Sequence, residues 1–374
     1  MDARSRALDS ERPHLALLEA PGAYPRPMYR LAVLTPFAAP SVRGNAITVS
    51  RVVRGLRERG LDARVWDGSS TSESAIAREV EAERPALIHA FHAFRVGPLA
   101  LRLARRLEVP LVVTLTGTDA NHDLFDPDRA ATVRRVLEGA ATVTAFHDSI
   151  VERVAAALPD VRRRFVVVPQ AVRFDDAVPF DLDAAWPLPA DRVLIVFPAG
   201  IREVKAPRMP LAPLDALAAA DPRLRLAYAG PILDPEEGAA LADALATRPW
   251  ARHLGAVPHA QMASLLAQAD VVLNCSISEG GMANSVLEAL TCGRAVLASD
   301  IPGNRALIED GVTGLLFDSP ERLRANTERL VHDPALRAHF GRAGRARVER
   351  EYPPARELDG YVAVYRDLVE VASA

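Results

Sequence analysis

The chain has 374 residues, 49% of them hydrophobic, with a formal net charge of -3 and two cysteines. That is more apolar material than one core usually organises, so two domains of about 150 to 200 residues are expected. Basic and acidic residues are spread over both halves, which speaks against a nucleic-acid partner, and Cys275 and Cys292 lack the spacing of a disulfide framework or a zinc site.

In chain order, residues 1–28 mix Asp2, Arg4, Arg6, Asp9 and Glu11 with Pro13, Pro21, Pro25 and Pro27. They read as a loosely ordered arm with neither signal peptide nor membrane span, so a cytoplasmic protein with at most peripheral membrane contact is expected. Short apolar runs then alternate with helical patterns, as βαβ units of a mainly parallel sheet do. The predicted strands are Leu31–Thr35, Ala63–Trp66, Leu87–Ala90, Leu111–Leu115, Thr142–Ala145 and Phe165–Val168, with helical stretches such as Thr48–Arg59 and Gly97–Leu107 between them. Their continuous hydrophobicity suits strands covered on both faces.

Residues 175–190 hold Asp175, Asp176, Pro179, Asp181, Asp183, Pro187 and Pro189, and read as the linker between an N-terminal domain (29–178) and a C-terminal domain (190–350). A second series of strands follows: Val193–Phe197, Leu224–Ala229, Val271–Asn274, Ala295–Ala298 and Leu315–Phe317. Residues 351–374 read as a final amphipathic helix crossing back to the first domain, with Leu358, Tyr361, Val364, Tyr365 and Leu368 at helical spacing.

Open α/β sheets bind ligands beyond the carboxyl ends of their strands, which directs attention to the loops there. Gly200-Ile201-Arg202-Glu203-Val204-Lys205 puts a flexible glycine and two cations at one strand exit, a place suited to a diphosphate. Lys205 is the only lysine in the chain, against 44 arginines among 45 basic residues. Its simpler reading is a surface cation paired with Glu203. Ser278-Glu279-Gly280-Gly281-Met282-Ala283-Asn284 reads as a glycine loop opening a helix, with free N–H groups for an anion and with Asn284 and Glu288 on one face. His89 and His92 flank the exit of the third strand, His147 and Asp148 follow the fifth, and all four are candidates to line the cleft. No metal-ligand spacing, Ser/His/Asp order or dinucleotide fingerprint appears, which removes metalloenzyme, hydrolase and dehydrogenase readings.

These segments, together with Asp300-Ile301-Pro302-Gly303-Asn304 and Gly311-Val312-Thr313-Gly314, resemble the donor-binding half of family 4 retaining glycosyltransferases of the GT-B fold. Gly44-Asn45-Ala46 and Gly117-Thr118-Asp119 extend the likeness to the N-terminal half, where it is closest to the glycosyltransferase-1-domain-containing proteins and related to bacterial selenosugar synthases. The resemblance implies two Rossmann-like domains facing across a cleft, and transfer of a sugar from a nucleotide-sugar donor, with a UDP-sugar the family's common choice, to a small, lipid or saccharide acceptor. It implies no metal and no cofactor.

It assigns catalytic roles to Glu279, Arg202, Lys205 and Asp119. Donor binding falls to Gly200, Arg202, Lys205, Glu279, Gly280, Gly281, Met282, Ala283, Asn284 and Glu288, with the last on the ribose. Acceptor binding falls to Gly44, Asn45, Thr116, Gly117, Asp119 and His122. The sequence departs from the family at two places: eight residues lie between Glu279 and Glu288 where seven are usual, and Thr116 stands where a histidine often does. A nucleotide-sugar epimerase, a sulfur or selenium glycosyltransferase and a non-catalytic nucleotide-sugar binder are the rival readings.

Overall fold

The computed structural model describes residues 30–174 and 177–373. The arm expected over 1–28 lies outside them. Two six-stranded sheets, parallel throughout, carry the chain. The first is built from β1 (Arg30–Thr35), β2 (Asp62–Asp67), β3 (Leu87–Phe91), β4 (Leu111–Thr114), β5 (Thr142–Ala145) and β6 (Phe165–Val167), in the order β2-β1-β3-β4-β5-β6. The second is built from β7 (Val193–Pro198), β8 (Leu224–Ala229), β9 (Ala251–His253), β10 (Val271–Asn274), β11 (Ala295–Ser299) and β12 (Leu315–Phe317), in the order β12-β11-β10-β7-β8-β9. Helices cover both faces, which is why nearly every strand residue of β3, β4, β7, β10 and β11 is buried. This is the GT-B fold.

The expected strands are found, and β9 is the addition. Its three residues, of which only Ala251 is buried, are too few to leave a periodic signal. The region read as a linker is not bare chain. Asp181 caps one helical turn, Leu182–Ala185, by accepting from the Ala184 N–H, and Leu182 and Trp186 bury into the core of the second domain.

Each sheet has one place where the chain reverses its direction of travel: between β1 and β3 in the first, and between β7 and β10 in the second. Loops leaving neighbouring strands diverge there and open a crevice. Both crevices face one cavity, since its lining draws on the loops after β1, β3, β7 and β10.

The final helix, Pro354–Ser373, packs on the first domain. Leu358, Tyr361, Val362, Val364 and Tyr365 join Leu31, Val33, Val49, Val52, Leu56 and Phe91 in one core cluster. Gly55 makes the helix crossing close, because a Cβ there would stand 2.4 Å from Leu358 Cδ1. Arg51 and Glu357 lock the same face with hydrogen bonds of 2.8 and 2.9 Å, the Glu357 side chain being 1% exposed.

His89, expected near the cleft, belongs to this packing instead. Fully buried, it bonds Tyr365 Oη at 2.7 Å and Thr114 Oγ1 at 2.6 Å. Burial holds its pKa down to about 3, so the unfolded chain, with an ordinary histidine near 6.5, takes up a proton that the folded chain refuses. Stability contributed by neutral His89 is therefore present above about pH 6.5 and falls as the pH drops below it, at up to about 1.4 kcal/mol per pH unit. His89→Gln is expected to be less stable than wild type at pH 7.5 and to lose stability less steeply between pH 6.5 and 5, as read by urea unfolding at each pH. Parallel curves would show that another group sets the acid limit.

Candidate active site between two facing sheets

The cavity between the domains encloses about 260 Å³. Its second-domain wall begins where β7 ends. Gly200 is required there: a Cβ would stand 2.5 Å from Leu233. The chain then makes one tight turn, Glu203–Lys205, closed by Ala206 in the left-handed region. Ile277 N–H donates to Val204 O at 2.9 Å and ties this loop to the one leaving β10. Arg202 and Lys205 thereby come to face Glu279.

Lys205 pairs with Glu279, and not with Glu203, while its ammonium also bonds Ser276 Oγ at 3.2 Å. Burial pushes the Glu279 carboxyl up. The Lys205 charge and hydrogen bonds from Lys205, Ser276 and Asn274 outweigh that and leave its pKa below the usual carboxylate value. Arg202 is shifted down, by burial first, against the charge of Glu279 and with the help of Arg43 and Arg95. Its guanidinium stays a cation, as arginine does in proteins.

A buried amide network seats Glu279. Asn274, at the end of β10, donates to Glu279 Oε1 at 3.4 Å and Ser285 Oγ at 3.2 Å, and Asn304 donates to Asn274 Oδ1 at 3.2 Å and Ser299 O at 2.9 Å. Gly303 leaves the room, since a Cβ on it would lie 2.6 Å from that of Glu279. At the other end of the wall Glu288, 6% exposed, accepts from His259 Nε2 at 3.0 Å, and His259 stacks on Phe174.

The first-domain wall meets this one through backbone. Gly117 and Gly280 touch: a Cβ on Gly280 would stand 2.5 Å from Thr116 O, and one on Gly117 3.0 Å from Gly280 Cα. Around that contact Asn121 donates to Glu279 O at 2.8 Å, His122 bonds Ser278 Oγ at 3.1 Å, and Asn284 donates to Gly44 O and Thr48 Oγ1 at 3.4 Å each.

Of the residues named from the sequence, Gly44, Asn45, His92, Thr116, Gly117, His122, Gly200, Arg202, Lys205, Glu279, Gly280, Met282, Asn284 and Glu288 line the cavity together. Asp119 does not. Its carboxylate is fully buried and accepts from the N–H groups of Ala93, Thr116, Gly117 and Ala120, so it shapes the loop after β4 and is not presented to the cleft. Gly281 and Ala283 also stand outside the lining. Gly281, at φ +104°, backs onto His147 and Ile150, and the Ala283 side chain sits in the second-domain core with that of Met282. His147 caps the helix that Asp148 begins.

Among the lining residues that the sequence did not single out are Phe37, Arg43, Arg95 and His259. The three arginine and phenylalanine positions follow strands β1 and β3, which was the available signal, but 44 arginines hide two. His259 follows β9, the strand that was missed.

Among the described residues no group of three or more His, Cys, Asp or Glu side chains is placed to hold a metal ion, and no helix is long and apolar enough to cross a membrane.

Comparison with known proteins agrees with this architecture. Residues 22–176 match the model of Glycosyltransferase Family 4, and residues 180–347 that of Glycosyl transferases group 1. The chain is 25% identical over 331 residues to glycosyltransferase 1 domain-containing protein 1 of Xenopus tropicalis, covering 87% of this chain and 94% of that one. It is 29% identical over 349 residues to the D-inositol 3-phosphate glycosyltransferase of Segniliparus rotundus, covering 86% and 75%. Among solved structures, Anabaena HepE in complex with UDP and glucose superposes with a TM-score of 0.74 at 15% identity, over 91% of this chain and all of that one. Sucrose-phosphate synthase from Thermosynechococcus elongatus does so with a TM-score of 0.75 at 18% identity, over 92% and 100%.

The Gly117–Gly280 contact generates a prediction. Gly280→Ala is expected to fold with stability within about 1 kcal/mol of wild type, since the site lies between domains and not in a core, while X-ray scattering shows a larger radius of gyration. Unchanged scattering would mean that the backbone can yield without parting the domains. Two domain models, matching one each of the two halves, and cations gathered at facing strand exits lead to one conclusion: the chain is a GT4-like glycosyltransferase with the GT-B fold.

Proposed function

We propose that the protein transfers a sugar from a nucleoside diphosphate sugar, with uridine as the base, and retains the anomeric configuration, without help from a metal. The observation that carries this is the meeting of Arg202, Lys205 and Glu279 in one half-buried corner of the cleft. The sugar's C1–O bond to the diphosphate breaks, negative charge gathers on the departing oxygen, and Arg202 and Lys205 stabilise it in a site with little water to screen them. The acceptor oxygen bonds C1 on the same face, and its proton passes to the leaving phosphate oxygen. Glu279 holds the transferred sugar. Glu288, steadied by His259, takes the ribose hydroxyls, and main-chain N–H groups from Gly280 to Asn284 orient donor phosphate and sugar. HepE and its UDP and glucose support the choice of base only by likeness of fold.

Calorimetric titration with the nucleoside diphosphates checks this reading. UDP is expected to bind in the micromolar range, equally with and without chelator, and Lys205→Ala to weaken it by about tenfold or more, the worth of a charge-assisted hydrogen bond. In turnover, Glu279→Gln is expected to lower kcat by about a hundredfold. Absence of binding by every nucleoside diphosphate would end the proposal.

A further inference from the structure

The first-domain wall carries two cations that the donor chemistry leaves over. Arg43 follows β1 and Arg95 follows β3, so both stand at the crevice where the first sheet reverses its order. Both lie over one ring, their Cζ atoms 4.3 and 5.5 Å from the centroid of Phe37. Neither forms an ion pair among the described residues. Burial first, and then the charge of Arg95, lower the pKa of Arg43.

The backbone is held to this arrangement. His92, 3% exposed, sits at φ +113°, a conformation that is costly for a residue with a Cβ. Its Nδ1 accepts from the N–H groups of Phe94 and Arg95 at 3.2 and 3.3 Å, which leaves the ring proton on Nε2 to donate to Thr118 Oγ1 at 2.9 Å. That strained turn delivers Arg95 to the rim of the cavity.

Beside the arginines, individual polar atoms of side-chain amides line the same cavity without partners. Both polar atoms of Asn45, Gln170 Oε1 and Asn284 Oδ1 are buried and unbonded, and Gln170 is 3% exposed. Buried amide groups of this kind are normally satisfied, and a ligand's hydroxyls would satisfy these.

We infer that the acceptor is an anionic polyol, with a phosphate or carboxylate group against Arg43 and Arg95 and hydroxyls on Asn45, Gln170 and Asn284. This rests on the donor reading of the opposite wall: a diphosphate facing Arg202 and Lys205 leaves the Arg43 and Arg95 charges for a second anion. A neutral acceptor would leave two guanidiniums at the cleft wall without a counter-charge, so discrimination against it is built into the first domain.

The test titrates glycerol phosphate, glycerate and glycerol into the UDP-saturated protein. Glycerol phosphate or glycerate is expected to bind and glycerol not to. Arg95→Ala, an exposed position that will not disturb folding, is expected to weaken the anion by about tenfold or more while UDP affinity stays within about threefold, and Arg95→Lys to restore part of the loss. Binding of glycerol phosphate alone assigns a phosphate, binding of glycerate alone a carboxylate. Equal binding of glycerol, no binding of either anion, or loss of UDP affinity in Arg95→Ala equal to the loss for the anion would overturn the inference, the last by giving these arginines to the donor. If UDP itself does not bind, the same titration on the free protein separates the two claims: Arg95-dependent anion binding keeps the subsite and rejects the donor reading, and its absence rejects both.

Discussion

The constraint on which the cleft depends is that two parallel sheets point their carboxyl ends at each other. A parallel strand has to return through a helix, so all the loops at its carboxyl end gather on one side of the sheet. With two such sheets face to face, the loops after β1 and β3 confront those after β7 and β10. Residues far apart in sequence, Gly44 and Asn284 or Asn121 and Glu279, then come within hydrogen-bond reach.

The charges in the cleft follow from this geometry. Desolvation makes each buried ion costly alone, so the second-domain wall assembles Lys205 against Glu279 and surrounds the carboxylate with Ser276 and Asn274. On the first-domain wall Arg43 and Arg95 have Phe37 and no carboxylate. The second-domain wall keeps Arg202 beyond the Lys205–Glu279 pair, and the first-domain wall has an excess of positive charge. A cleft between them is suited to two anionic partners, one for each side.

The walls are held in register by contacts that involve little side-chain bulk. Gly117 against Gly280 sets the distance between the domains, and the final helix fastens the end of the chain to the first domain through Tyr361, Tyr365 and the Arg51–Glu357 pair. The buried Asp119 carboxylate belongs with these: by collecting four N–H groups it shapes the loop that carries Gly117 to the contact.

The sequence alone determined the two-domain parallel-sheet architecture, the glycine-and-cation loop after β7, the Glu279–Asn284 loop and the returning helix. It could do so because apolar runs of strand length, glycine positions and helical periodicity are local properties. Only the tertiary structure decided that Lys205 meets Glu279, that His89 serves the helix and not the cleft, and that Asp119 is spent on backbone N–H groups. It alone gathered Phe37, Arg43 and Arg95 at the crevice beside β1 and β3. These depend on which strand exits become neighbours, which is settled by strand order and domain docking over separations of dozens to hundreds of residues, and no local pattern of residues records it.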